Sequence, residues 1–262
     1  MKIARFSHHD SIHYGIVDES DLVVLKGDPL FAGFEPTGER VPLADVTLLA
    51  PVIPRSKVVC VGKNYHDHAK EMGGEAPEAP LLFLKPNTAV IGTNDVIVRP
   101  PQSERTDFEG EFAVIIGRVA KNVAAADADD YILGFTVAND VTARDIQYSD
   151  GQWTRGKGFD TFCPLGPVIE TDVDFATARI TTRLNGETKQ DAPLSDMIHS
   201  VPDIVAYASA AFTLLPGDVI LTGTPAGSSV AQPGDVVEVE VDAPSAPGAP
   251  SSGRLVTNVV ES

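Results

Sequence analysis

Apolar positions along this chain fall mostly into short runs bounded by glycine, proline and acidic turns. Residues 2–6, 13–17 and 22–25 read as three strands, with Asp18-Glu-Ser-Asp21 turning between the last two. Residues 26–42 contain glycine and proline and are expected to loop, and residues 48–54 read as a linker. Further strands are predicted at 57–61, 81–84, 95–98, 112–116, 134–139, 168–170, 180–184, 236–241 and 254–260, with a hairpin turn at Asn185-Gly186. Helical spacing is rarer. It is clearest over 201–214, where Ile204, Val205, Ala208 and Phe212 form one stripe. A surface helix is expected over 125–133. A short helix is expected over 64–72, capped near Asn64 and stopped by Gly73-Gly74.

This pattern predicts a mainly β fold with few helices. It divides into a small N-terminal β module (residues 1–55) and a larger domain (56–262). The 262-residue length allows that division, and 22 glycines with 20 prolines support a loop-rich β chain.

Charge narrows the function. A formal net charge of −17 argues against nucleic acid or an anionic membrane as partner. It also means that an acidic substrate needs a local cation, either a metal ion or buried basic side chains. The two cysteines, Cys60 and Cys163, lie in apolar contexts without ligand spacing and read as free buried thiols of a reducing compartment. No signal-peptide core or membrane-length apolar run is evident, so a soluble cytoplasmic protein is expected. His8, His9 and His13 fall on a turn and a strand exterior.

Glu109 and Glu111 open the apolar run 112–116. Two residues apart on a strand, they share a face. Paired carboxylates beside a core repel unless a cation sits between them, and hard divalent ions favour such all-oxygen donors. A solvated strand end is the plainer reading, and Glu238 and Glu240 are expected to be such a solvent-facing pair. Asp140 ends another apolar strand, where it is placed to be a third oxygen ligand. His68 and Glu71, i and i+3 on the short helix, form a potential general base with its orienting carboxylate. The Gly/Pro segment 73–80 beside them reads as a lid. Lys157 lies between two glycines, and Gly223 and Thr224 at a strand-ending turn could offer an N–H and a hydroxyl to a ligand. No Gly-x-Ser-x-Gly elbow, P-loop or dinucleotide fingerprint occurs.

The order of these pieces resembles the fumarylacetoacetate hydrolase family over roughly residues 55–262. The matching motifs are Val59-Cys-Val-Gly-Lys-Asn-Tyr65 with His68 and Glu71; Phe83-Leu-Lys-Pro86; Glu109-Gly-Glu111; Asn139-Asp-Val-Thr-Ala-Arg-Asp145; Lys157-Gly-Phe-Asp160; and Leu221-Thr-Gly-Thr-Pro225. The resemblance implies a mixed β-roll of curved, packed sheets, usually a homodimer, with the N-terminal module as an addition found in many bacterial members. It implies that Glu109, Glu111 and Asp140 hold one Mg²⁺ or Mn²⁺ per subunit and that Lys157 stands beside the metal. It further implies that His68 and Glu71 form the dyad of a mobile lid, and that Arg144, Thr224 and Gly223 line the substrate pocket. The implied activity is metal-assisted enolate chemistry on a small 2-oxo or diketo acid. Carbon–carbon hydrolysis or decarboxylation (an acylpyruvate or oxaloacetate) is one outcome. Isomerisation of a 2-hydroxyhepta-2,4-diene-1,7-dioate is another, and a non-catalytic metal-binding β protein is the rival of a different class. One departure stands out: the long run from Asp242 to Gly253 replaces a short glycine turn before the last strand.

Overall fold

The computed structural model describes residues 1–242 and 253–262. Its spine is a large sheet ordered Pro36–Pro42, Asp21–Leu25, Ser11–Asp18, Lys2–His8, Cys163–Glu170, Ile132–Asn139, Gly110–Ile116, Val219–Leu221, Val58–Gly62, Leu81–Lys85. A second sheet runs Glu187–Pro193, Arg179–Leu184, Val236–Asp242, Arg254–Glu261, Val96–Arg99. A third, small sheet joins Thr142–Ala143, Thr106–Phe108 and Ser229–Val230. The chain is mainly β, with packed sheets and short helices.

The strand Gly110–Ile116 is buried along its whole length. Phe112, Val114 and Ile116 face the main core, where they share one apolar cluster with Ile180, Val237 and Val239 of the second sheet and with Ile204 and Val205 of the helix Val201–Ala211. The alternate residues, Ala113 and Ile115, pack on the opposite face with Val58, Cys60 and Leu165. Burial on both faces is why this segment reads as a continuous apolar run.

The N-terminal strands do not form a sheet of their own. Lys2–His8 pairs antiparallel with Cys163–Glu170 (Lys2 opposite Glu170, Ile3 opposite Ile169), so the first module prolongs the large sheet. It brings a small core of its own, in which Ala4, Phe6, Leu22, Val24 and Val41 pack with Val168.

Several expectations need correction. Residues 26–42 are not all loop: Pro29–Ala32 makes a helical turn, and Pro36–Pro42 is the edge strand beside Asp21–Leu25. Six of that strand's seven residues are exposed, so it carries no apolar alternation, and an edge position tolerates its prolines. Segment 125–131 winds as a 3₁₀ helix, with Ala128 buried. Asn64 does not cap the short helix His66–Glu71. Its amide instead donates to Thr222 O (2.8 Å) and His199 O (3.0 Å) and accepts the His199 N–H, which fastens the helix entrance to the core. Glu238 and Glu240 are half-buried rather than simply solvated. Arg254 bridges both, and Arg183 reaches Glu240 from the neighbouring strand. The run expected to loop before the last strand, residues 243–252, lies outside the described residues. Among the described residues no helix is long and apolar enough to cross a membrane.

Burial would raise the Glu240 carboxyl, but hydrogen bonds from Arg183 and Arg254 hold it below its ordinary value. A carboxyl depressed in the folded state stabilises above its unfolded pKa, and that contribution is lost as pH falls through the folded value. Glu240→Gln should therefore lower urea-unfolding stability at pH 7 by under ~1 kcal/mol, the scale of a screened pair. The difference from the parent should shrink as pH falls through the folded-state value.

Candidate active site

Glu109 is the hinge residue between two sheets. Thr106–Phe108 belongs to the small sheet and Gly110–Ile116 to the large one, so the expected single strand changes sheet at this carboxylate. The backbone is clamped there. The Glu109 N–H donates to Asn139 Oδ1 (2.9 Å), the Gly110 N–H to Gln190 Oε1 (2.9 Å), and the Asp140 N–H to Glu109 O (2.8 Å). A Cβ on Gly110 would come 1.9 Å from Thr182 Oγ1, so the residue between the two glutamates has to be glycine. Pairing of Gly110 with Asn139 sets Asp140 beside both glutamates. Oxygens of Glu109, Glu111 and Asp140 all lie within 4.8 Å of one another, with all three residues buried.

Buried cations share these carboxylates. Lys157 Nζ donates to Asp140 Oδ2 (2.5 Å), Glu109 Oε2 (2.9 Å) and Thr142 Oγ1 (2.8 Å). It comes from the helical turn Thr154–Lys157 and is 2% exposed, which excludes an exposed turn lysine. Arg144 opens the helix Arg144–Asp150. Its guanidinium bridges Asp107 (2.9 Å), Gln147 (2.8 Å) and Glu109 (2.5 Å). Lys85 Nζ donates to Asp140 Oδ1 (2.5 Å) and Val141 O (3.1 Å). Burial alone would raise the Glu109 carboxyl, yet Lys157 and Arg144 hold it well below the usual carboxylate range. Burial would lower Lys157, but Asp140 and Glu109 raise it, so its ammonium keeps its charge.

Glu111 is the exception. Among the described residues it pairs with no lysine or arginine and receives the Gly223 N–H at 2.7 Å. Burial, then Asp140 and Glu109, push its carboxyl well above the ordinary value. Three hard oxygen donors, one of them short of positive charge, fit a divalent cation such as Mg²⁺ or Mn²⁺.

The cavity over this cluster is narrow, about 20 Å³, and is lined by His68, Glu109, Glu111, Asp140, Arg144, Lys157 and Thr224 together with Met72, Phe83 and Trp153. His68 is 4% exposed, and its Nδ1 stands 3.5 Å from Glu71 Oε2, too long for a good hydrogen bond. Burial lowers the His68 pKa, with Arg144 and Lys157 adding to the effect against Glu109 and Glu71. Glu71 lies at the surface and accepts the Gly227 N–H (3.1 Å). Gly223 and Thr224 have structural duties: Gly223 serves Glu111, and the Thr224 hydroxyl donates to Gly110 O (2.8 Å) while accepting from Gln190 (2.7 Å). Gly223, at φ 100°, could not carry a Cβ, which would meet Asn64 at 2.7 Å. Cys60 and Cys163 are buried and free, and burial pushes Cys163 up to about 12, which leaves both thiols inert.

Sequence reasoning gave no role to Lys85, Asp107, Asn139 or Gln190. Lys85 carried a signal, because it is a lysine ending an apolar strand run. The amides carried none, since their roles depend on contacts 30 and 80 positions away.

Glu109→Gln breaks two buried ion pairs and should cost about 3–5 kcal/mol in the metal-free protein. Glu111→Gln replaces a carboxyl whose charged form burial and the neighbouring carboxylates disfavour. The metal-free variant should therefore melt as high as the parent or a few degrees higher, and the melting-point rise that Mn²⁺ gives the parent should be lost. Thermal melts with EDTA and with Mn²⁺ check both.

A family model described as "Fumarylacetoacetate (FAA) hydrolase C-terminal" matches residues 57–260, and one described as "Rv2993c-like, N-terminal" matches residues 1–51. Oxaloacetate tautomerase FAHD2A, mitochondrial, from Homo sapiens is 44% identical over 213 residues, 77% of this chain and 68% of that protein. The solved structure of 5-carboxymethyl-2-hydroxymuconate delta-isomerase from Mycobacterium smegmatis matches with a TM-score of 0.90 at 43% identity, covering 100% of both chains. Maleylpyruvate hydrolase from Sphingobium sp. SYK-6, solved in complex with manganese(II) ion and pyruvate, matches with a TM-score of 0.79 at 28% identity, covering 100% of this chain and 99% of that one. With its matching family model, its relatives and its buried acidic triad, this chain belongs to the fumarylacetoacetate hydrolase family.

Proposed function

We propose that this protein is a divalent-metal-dependent enzyme acting on a short 2-oxo acid, at the carbon next to the oxo group. The observation that carries the reading is Glu111: a buried carboxylate without a cationic partner, beside two others, on the floor of a cavity that also holds a buried histidine. A cation held by Glu109, Glu111 and Asp140 would supply Lewis acidity toward the carboxylate and oxo oxygens of such a substrate.

The chain's own groups do the rest. Lys157 keeps a fixed positive charge beside the cluster, where negative charge would develop on the oxo oxygen as an enolate forms. His68, held neutral by burial, accepts a proton from the substrate carbon or from an attacking water. Glu71 faces His68 Nδ1 and orients the ring when the two close to hydrogen-bond distance. Met72, Phe83 and Trp153 exclude water from the cavity walls. Loss of a carboxylate gives decarboxylation, and loss of an acyl group to water gives carbon–carbon hydrolysis. Return of a proton to a different atom gives isomerisation or tautomerisation, an outcome favoured by the relatives bearing isomerase and tautomerase names. The manganese and pyruvate held by the maleylpyruvate hydrolase neighbour support both the metal and the substrate class.

The test is a substrate panel at fixed Mn²⁺: oxaloacetate, acetylpyruvate, fumarylpyruvate and a hydroxyheptadienedioate. At least one should turn over, with EDTA abolishing the rate. His68→Ala should lower kcat for that substrate by about 10²–10⁴-fold. Undiminished turnover in that variant would remove His68 from the mechanism, and metal binding without turnover of any compound would favour a non-catalytic metal-binding protein.

A further inference from the structure

Three cationic side chains line the cavity: Lys63, Arg144 and Lys157. Two of them are already committed. Arg144 directs its three faces at Asp107, Gln147 and Glu109. The three ammonium protons of Lys157 go to Glu109, Asp140 and Thr142. Lys63 differs: among the described residues it makes no ion pair and no side-chain hydrogen bond.

Its placement is specific. Lys63 follows the strand Val58–Gly62 with a left-handed backbone (φ 57°), a conformation that residues other than glycine seldom adopt. Its ammonium stands against the lid segment, with Nζ 3.0 Å from where a Cβ on Gly74 would sit. A glycine at 74 leaves room for that ammonium. Met72, Phe83 and Trp153 add apolar surface to the cavity lining. An anionic group entering here loses water and meets one available counter-charge. In a chain of net charge −17, the long-range field gives a dianion no help, so local pairing has to hold it.

We propose that Lys63 is a specificity-determining residue that pairs with the distal carboxylate of a 2-oxo dicarboxylate, while the 2-oxo acid end lies at the carboxylate cluster. The assignment rests on the reading of this cavity as a 2-oxo acid site. It selects dicarboxylates over 2-oxo acids of the same length with an uncharged tail.

The test is equilibrium binding to the Mg²⁺-loaded protein, followed by the fluorescence of Trp153, the only tryptophan of the chain. The probes are pyruvate and two five-carbon acids that differ only at the far end, 2-oxoglutarate and 2-oxopentanoate. The parent should bind 2-oxoglutarate about tenfold or more tighter than 2-oxopentanoate, the scale of one charge-assisted hydrogen bond. Lys63→Gln should erase that preference while leaving 2-oxopentanoate affinity within about twofold, and Lys63→Arg should retain it. Equal affinities in the parent, or a preference that survives Lys63→Gln, would overturn the assignment of Lys63 and leave the 2-oxo acid reading standing. Failure of the parent to bind pyruvate or either longer acid would overturn the 2-oxo acid reading itself.

Discussion

The site depends on a charge imbalance kept out of water. Asp107, Glu109, Glu111 and Asp140 are buried together, and Arg144, Lys157 and Lys85 are threaded among them so that each cation answers a particular oxygen. The pairing is incomplete at one carboxylate. Isolated buried charge is costly, so such an arrangement stays folded only if the surrounding structure supplies the difference or a bound cation does. The apolar packing on both faces of Gly110–Ile116 makes the surrounding structure stiff enough to keep Glu111 in place.

The fold places the cluster at a seam. Glu109 lies where the chain leaves the small sheet for the large one, Asp140 follows the strand paired with it, and Lys157 arrives from a single helical turn. No single element contains the site. It exists because three backbone N–H groups, two bonded to side-chain amides and one to a carbonyl, and one obligatory glycine fix the chain around Glu109. Residues assigned by their sequence motifs to the pocket, Gly223 and Thr224, contribute through this register: the Gly223 N–H holds Glu111 and the Thr224 hydroxyl holds the backbone of Gly110.

Much of this was legible in advance, for physical reasons. A two-sided buried strand writes itself as an unbroken apolar run, and the centres of the strands at 58–62, 110–116 and 132–139 were therefore readable. The exposed edge strand Pro36–Pro42 has no inward face to impose a pattern, and it read as loop. Carboxylate spacing alone did not separate Glu109 and Glu111 from Glu238 and Glu240. The first pair lacks cross-strand arginines that satisfy both members, whereas Arg254 bridges both members of the second. That difference lies in the partner strand. Asn64 shows the same limit. Its residue type suits a helix cap, but its amide is used 135 and 158 positions away.

The joining of the N-terminal strands to the large sheet also bears on solubility. With Lys2–His8 in place, the first two residues of that strand pair with Ile169 and Glu170, near the end of Cys163–Glu170. Without them, that end would present unsatisfied N–H and C=O groups beside the apolar surface of Val168 and Ile169, a template for adding a strand from another molecule. Pairing of the N-terminal strand thus covers a stretch of sheet edge that would otherwise be open to edge-to-edge association.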